Sequence, residues 1–177
     1  MAQKGFSVVT GASSGIGYEI ALVLAAQGCN LVLIARREDR LQSYAREWRE
    51  KFGVDVRVVA ADLSQRQEVD RVLKILRELP IDTLINNAGS GEIGAFWERP
   101  WSAYQRILDV NVAALVQLSH GVVPQLIKQG RGQILNVAST ASFQPGPFLN
   151  VYCASKAFVL SFSEALSEEL CGTGVTV

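Results

Sequence analysis

Short apolar runs alternate with longer amphipathic ones along the whole chain, and that alternation admits few folds. Residues 6–10, 30–34, 54–60, 82–86 and 132–137 read as strands, and Val175-Thr176-Val177 begins a further one. Between them apolar residues fall at helical spacing: Ile16, Ile20, Val23 and Leu24; Leu41, Tyr44, Ala45 and Trp48; Val69, Val72, Leu73, Leu76 and Leu79. Gly28, Gly53 and Pro80 close these three helices. A long helix is expected over 101–129, kinked or tightened near Pro124, and a last one from about Asn150 to Leu170, after the break at Pro145-Gly146-Pro147. The fold class this predicts is α/β, a doubly wound parallel sheet in a single domain spanning 1–177.

Composition narrows the functions. With 49% hydrophobic and 19% charged residues among 177, the chain is globular rather than disordered. Its formal net charge is +0, which argues against a nucleic-acid or anionic-membrane partner. The lead-in Met1-Ala2-Gln3-Lys4 and the apolar stretch 6–9 are too short for a signal-peptide core, and no later run reads as long enough to span a bilayer, so a cytoplasmic location is expected. Cys29, Cys153 and Cys171 have the spacing of neither a metal site nor a redox pair, and no metal is expected.

Doubly wound sheets bind ligands beyond the carboxyl ends of their strands, and the residues that stand out lie there. The first strand runs into Thr10-Gly11-Ala12-Ser13-Ser14-Gly15-Ile16-Gly17. Its glycines permit a tight turn and close approach of backbone to a pyrophosphate, which the following helix N-terminus favours. Their spacing is not the common G-x-G-x-x-G. The second strand ends at Arg36 and Arg37, where a dinucleotide fold meets the adenosine ribose; a guanidinium suits a 2′-phosphate, so NADP is expected over NAD. Asp62, followed by Leu63, is placed either to accept from an adenine amino group or to cap a helix, with Ser64 as its rival. Asn86-Asn87-Ala88-Gly89, after the fourth strand, offers a small-residue loop beside the adenosine; on its own it reads as a turn.

Two further places carry chemistry. Tyr152 and Lys156 stand four residues apart, hence on one helical face, and a cation one turn from a phenol favours the phenolate. Past the fifth strand, Ser139, Thr140 and Ser142 each offer a hydroxyl to a substrate oxygen, and residue type alone does not choose among them. Asn111, within Val110-Asn111-Val112, is either a buried hydrogen-bond anchor or part of a polar relay.

In this order the motifs resemble the short-chain dehydrogenase/reductases: Thr10-Gly11 with Gly15-Ile16-Gly17, Asp62, Asn86-Asn87-Ala88-Gly89, Asn111, Ser139, and Tyr152 with Lys156. The resemblance covers essentially the whole chain and is greatest to bacterial reductases of undefined substrate. It implies a Rossmann fold and hydride transfer between NADP(H) and a carbonyl or secondary alcohol. It implies Tyr152 as general acid/base, Lys156 on the nicotinamide ribose, Ser139 as the hydroxyl that polarises the carbonyl, and Asn111 holding a water that passes protons towards Lys156. The cofactor-binding set is then Gly11, Ser13, Ser14, Gly15, Ile16, Gly17, Arg36, Arg37, Asp62, Leu63, Asn87, Ala88 and Gly89, with Tyr152 and Lys156. A homodimer or homotetramer and a small carbonyl or alcohol substrate are also implied. Phe143, Phe148 and Leu149, between Ser139 and Tyr152, suggest that the substrate is apolar.

Family members usually continue past this strand into a nicotinamide-contacting loop, a substrate cover and a last strand. The chain is therefore expected to be a fragment of a reductase lacking the last strand or strands, and poorly active alone. The competing expectation is a non-catalytic NADP-binding sensor or scaffold, which has no need of the phenol.

Overall fold

Among the described residues six strands make one sheet, all parallel: β1 (Phe6–Thr10), β2 (Asn30–Ala35), β3 (Val56–Ala60), β4 (Ile81–Asn86), β5 (Gly132–Asn136) and β6 (Val175–Thr176). The structure is a computed structural model that describes residues 5–177; the lead-in at 1–4 lies outside the described residues. The strand order is β3-β2-β1-β4-β5-β6. The order reverses between β1 and β4, so the ends of these two strands open a crevice, the usual ligand position in such sheets.

The central strands β1, β2 and β4 are covered on both faces by helices, as their apolar runs demand, whereas β3 and β5 each carry exposed residues such as Arg57 and Leu135. On one face Val8, Val32, Ile34 and Leu84 pack against α3 (Arg66–Arg77) and α5 (Leu115–Gln129) through Leu73, Leu118, Val122 and Leu126. On the other, Val9, Leu31, Leu33 and Ile85 meet α1 (Gly15–Ala26) and α2 (Glu38–Phe52) through Ala21, Ala25, Leu41 and Trp48. Neighbours such as Val8 and Val9 take opposite faces because successive side chains of a strand alternate.

Helix α1 packs through its smallest residues as well as through Ile20 and Leu24. Its buried residues are Gly17, Ala21 and Ala25, while Ile16 and Val23 are 63% and 54% exposed. Close approach decides the face: a Cβ on Gly17 would lie 2.3 Å from Asn87 Nδ2 and 2.6 Å from the Gly11 carbonyl oxygen. The third strand begins at Val56, two residues later than expected.

The long helix keeps its expected extent, Trp101–Gln129, but not its winding. It comprises α4 (Trp101–Leu108), a π-helical segment (Asp109–Ala114) and α5, with Pro124 inside α5. The expectation that no run is long enough to span a bilayer is corrected here. By length and composition this helix of 29 residues, which holds an 18-residue stretch of mean hydropathy 1.3, is long and apolar enough. Its apolar inner residues, Leu118, Val122 and Leu126, lie in the core under the sheet, which accounts for its composition. Helix α6 (Asn150–Glu169) follows a 3-10 turn at Thr140–Phe143.

Candidate active site

The site begins with Thr10, the last residue of β1. Its buried hydroxyl donates to the Ile85 carbonyl (3.2 Å) and accepts from the amides of Asn87 and Ala88, each at 2.9 Å. The Asn87 side-chain amide donates back to the Thr10 carbonyl (2.9 Å). The loop after β4 is thus tied to the glycine turn across the crevice. In that turn Gly11 and Gly15 have φ of 69° and 57°, the left-handed region that favours glycine. At Gly15 the backbone conformation alone makes the demand, since a Cβ there would meet nothing within 4 Å.

The two arginines after β2 have different surroundings. Arg37 reaches back to the glycine turn: Nε and Nη2 donate to Ser13 Oγ (3.1 and 2.8 Å), and Nη2 to Ser14 Oγ (2.5 Å). Arg36 is exposed, and among the described residues none pairs with its guanidinium. A cleft of about 440 Å³ gathers Gly11, Ser13, Ser14, Arg36, Arg37, Asp62, Leu63, Asn87, Ala88 and Gly89. These are the expected cofactor-binding residues except Gly15, Ile16, Gly17, Tyr152 and Lys156, which are not in its lining.

Asp62 caps no helix. Gln65 is the N-cap of α3, and Asp62 instead closes its own turn, with Oδ1 accepting from the amide and the hydroxyl of Ser64 (3.0 and 2.8 Å). Its Oδ2 accepts from Arg106 Nη2 at 2.9 Å. Burial pushes the Asp62 carboxyl up, but the Ser64 donors and the Arg106 guanidinium outweigh it and hold the group below the ordinary carboxylate value.

From the cleft the loop 89–91 leads to α6. A Cβ on Gly89 would lie 3.7 Å from Lys156 Nζ, and one on Gly91 would lie 3.2 Å from Tyr152 Cδ2. Lys156 is buried, its Nζ donates to the Val137 carbonyl (2.7 Å), and it stands 5.9 Å from the centre of the Tyr152 ring. Burial pushes the Lys156 ammonium below its ordinary pKa, because charge is costly away from water.

Asn111 sits in the π segment, a helical irregularity that recurs at functional sites. Its Oδ1 accepts from the Ser90 amide (2.8 Å), and its Nδ2 donates to the Ser90 carbonyl (2.9 Å) and to Ser155 Oγ (3.0 Å). The Ser155 hydroxyl donates to the Tyr152 carbonyl (2.7 Å). Asn111 therefore anchors both the loop after β4 and the turn of α6 that carries Tyr152.

The three hydroxyls after β5 are no longer equivalent. Ser142 donates to the Lys156 carbonyl (2.8 Å), pinning this loop to α6, and Thr140 is exposed. Ser139 Oγ accepts from the Ala141 amide at 3.1 Å, which leaves its proton available to donate. Five residues that shape the site carried no functional reading in the sequence: Ser90, Arg106, Val110, Val137 and Ser155. None carried a usable signal, because the partners that place Ser90, Arg106 and Ser155 at the site are distant in sequence.

Sheet order, crossover crevice and glycine turn together define a doubly wound α/β domain of the dinucleotide-binding class. Residues 6–177 match the short chain dehydrogenase family. The chain belongs to that family, and its fold is that of the family's solved structures. It is 37% identical to a very-long-chain 3-oxoacyl-CoA reductase of Laccaria bicolor, a match covering 99% of this chain and 54% of the relative. The chain thus spans about half the length of that relative. Among solved structures it is similar to the bulky-bulky ketone specific alcohol dehydrogenase from Comamonas testosteroni, at 37% identity and TM-score 0.93, covering 97% of this chain and 69% of that one. It is also similar to a short-chain dehydrogenase from Sphingobium yanoikuyae in complex with NADPH, at 38% identity and TM-score 0.93, covering 97% and 68%.

Proposed function

We propose that the protein is an NADP(H)-dependent oxidoreductase that interconverts a bulky, apolar carbonyl compound and its secondary alcohol. The observation that carries the reading is the path from the cleft holding Arg36 and Arg37, along the loop 89–91, to the Tyr152 ring and Lys156 Nζ. NADP(H), when bound, supplies or accepts the hydride. The residues present fit it: the open backbone at Gly15 suits a pyrophosphate at the start of α1, and the unpaired Arg36 guanidinium suits a 2′-phosphate. The similar Sphingobium yanoikuyae structure, a complex with NADPH, supports the same cofactor.

In the reductive direction Tyr152 gives its hydroxyl proton to the substrate oxygen, and Ser139 donates a hydrogen bond to that same oxygen. Lys156, already directed by the Val137 carbonyl, has two N–H donors left for ribose hydroxyls and for charge on Tyr152. Asn111 keeps the loop after β4 and α6 in register, with a lone pair of Oδ1 left to hold a water on the way to Lys156.

The substrate class rests on two loops beside Tyr152. Ile93, Phe96 and Trp97 on one, and Phe143 and Phe148 on the other, are all more than half exposed. The Gly94 amide donates to the Phe148 carbonyl at 2.9 Å and joins the two loops. Exposed apolar groups in this number mark a binding surface, and the ketone and 3-oxoacyl names of the relatives agree with it. We also read the protein as a homo-oligomer pairing through α5 and α6, where Phe158 is 42% exposed and stacks on Phe162.

NADPH and NADH titrations followed by a panel of ketones of increasing bulk test the reading. Preferential NADPH binding, with turnover rising from acetone-sized to aryl or long-chain ketones, is expected. Equal affinity for the two nucleotides overturns the NADP assignment. NADPH binding without turnover of any carbonyl overturns the activity.

A further inference from the structure

Arg106 projects from α4 into the same cleft as Asp62, yet no nucleotide-binding motif includes it. Its bond to Asp62 Oδ2 spans 44 residues and joins the end of β3 to the helix across the cleft. With Ser64 on Oδ1 and Arg106 on Oδ2, both oxygens of the carboxylate are fixed in direction. A carboxylate has about four acceptor positions, so at least one stays open after these three donors. The side chains are 39% and 32% exposed, and a pair so exposed adds little to stability. Folding therefore does not explain why the pair stands on the wall of the cleft.

We propose that Arg106 is a specificity-determining positioning residue: it fixes Asp62 as an acceptor-only group that selects a 6-aminopurine over a 6-oxopurine in the bound dinucleotide. The inference rests on the proposed NADP(H) cofactor. An exocyclic amino group donates to a fixed carboxylate oxygen. A 6-oxo group in its place turns an acceptor towards that carboxylate and is repelled. A carboxylate free to rotate away makes the distinction poorly, because it can turn its charge from the base.

The test is a fluorescence titration of the purified protein with NADPH and with the reduced hypoxanthine analogue of NADP, on wild type, Arg106→Leu and Arg106→Lys. Wild type is expected to prefer the adenine nucleotide by about tenfold, the size of one hydrogen bond to a charged group. Arg106→Leu is expected to bring the ratio to within about twofold, and Arg106→Lys to keep part of it. The NADPH/NADH ratio stays unchanged in each variant, since the 2′-phosphate contacts lie elsewhere in the cleft. Should Arg106→Leu not fold, Arg106→Gln, which keeps donors without charge, carries the comparison. Equal weakening of both purine forms in the variant, or a ratio that stays at the wild-type value, overturns the inference. A wild type that binds both forms equally also overturns it while leaving the cofactor reading intact. Failure of wild type to bind either nucleotide overturns the cofactor reading and the inference with it.

Discussion

Asn111 and Ser90 exchange two hydrogen bonds, side-chain amide to backbone, at 2.8 and 2.9 Å. With the third bond to Ser155, this pair holds the loop after β4 against α6. Asn111→Leu leaves the Ser90 amide and carbonyl without their partner. Each group so stranded costs about 1–3 kcal/mol when fully buried; Ser90 is half-buried, so a loss in the lower part of the two-group range, roughly 2–4 kcal/mol, is expected in urea unfolding at unchanged m-value.

Gly15 and Gly17 differ in what they tolerate. Gly15→Ala meets open space and carries only the left-handed strain, about 1–2 kcal/mol. Gly17→Ala drives a methyl into Asn87 Nδ2 and the Gly11 carbonyl. Because Asn87 fixes the loop that lines the cleft, Gly17→Ala is expected to weaken NADPH binding more than Gly15→Ala, measured by titration.

Arg36 and Arg37 are expected to separate by nucleotide. Arg36→Ala removes the guanidinium without an internal partner, so NADPH binding falls by about tenfold or more while NADH binding is unchanged. Arg37→Ala also releases Ser13 and Ser14 from their shared donor, so both nucleotides weaken. Parallel loss of both nucleotides in Arg36→Ala contradicts this assignment.

Asp62 gives a pH signature. Its folded pKa is lowered from 3.8, so the unfolded chain binds the proton more readily. The stability it contributes is complete above the unfolded value and is lost as pH falls through the folded one. Asp62→Asn is expected to flatten the acid limb of urea stability below about pH 4. Superimposable acid limbs contradict it.

The strands could be read because their apolar runs are short and contiguous, and because glycine or proline ends the preceding helix, as Gly28 does before β2 and Pro80 before β4. Helix α2 could be read because Leu41, Ala45 and Trp48 are both apolar and buried. In α1 hydropathy alone did not pick out the buried face: Ile20 and Leu24 do pack against the core, but the sheet needs close approach, and Gly17, Ala21 and Ala25 allow it where Ile16 would not. The π segment has no periodic signature of its own, since Asn111 reads as a polar residue in an apolar helix whichever way the turn is wound. Motif residues at strand ends identified most of the cleft. Arg106, Ser90 and Ser155 escaped because their partners are distant in sequence, and only the fold brings them together. The roles of Ser139 and Ser142 separated only when their hydrogen-bond partners were known.

The central claim is that Tyr152 moves the proton in a hydride-transfer reaction on this site, and Tyr152→Phe tests it most directly. The substitution removes one oxygen from a partly buried ring beside Gly91 and leaves Lys156 bonded to Val137. Turnover of a reactive ketone by the variant is expected to fall by about 10²–10⁴-fold with NADPH affinity unchanged. Turnover within a factor of about two of wild type contradicts the account, and so does a wild type that binds NADPH and turns over no carbonyl, as a sensor or scaffold would.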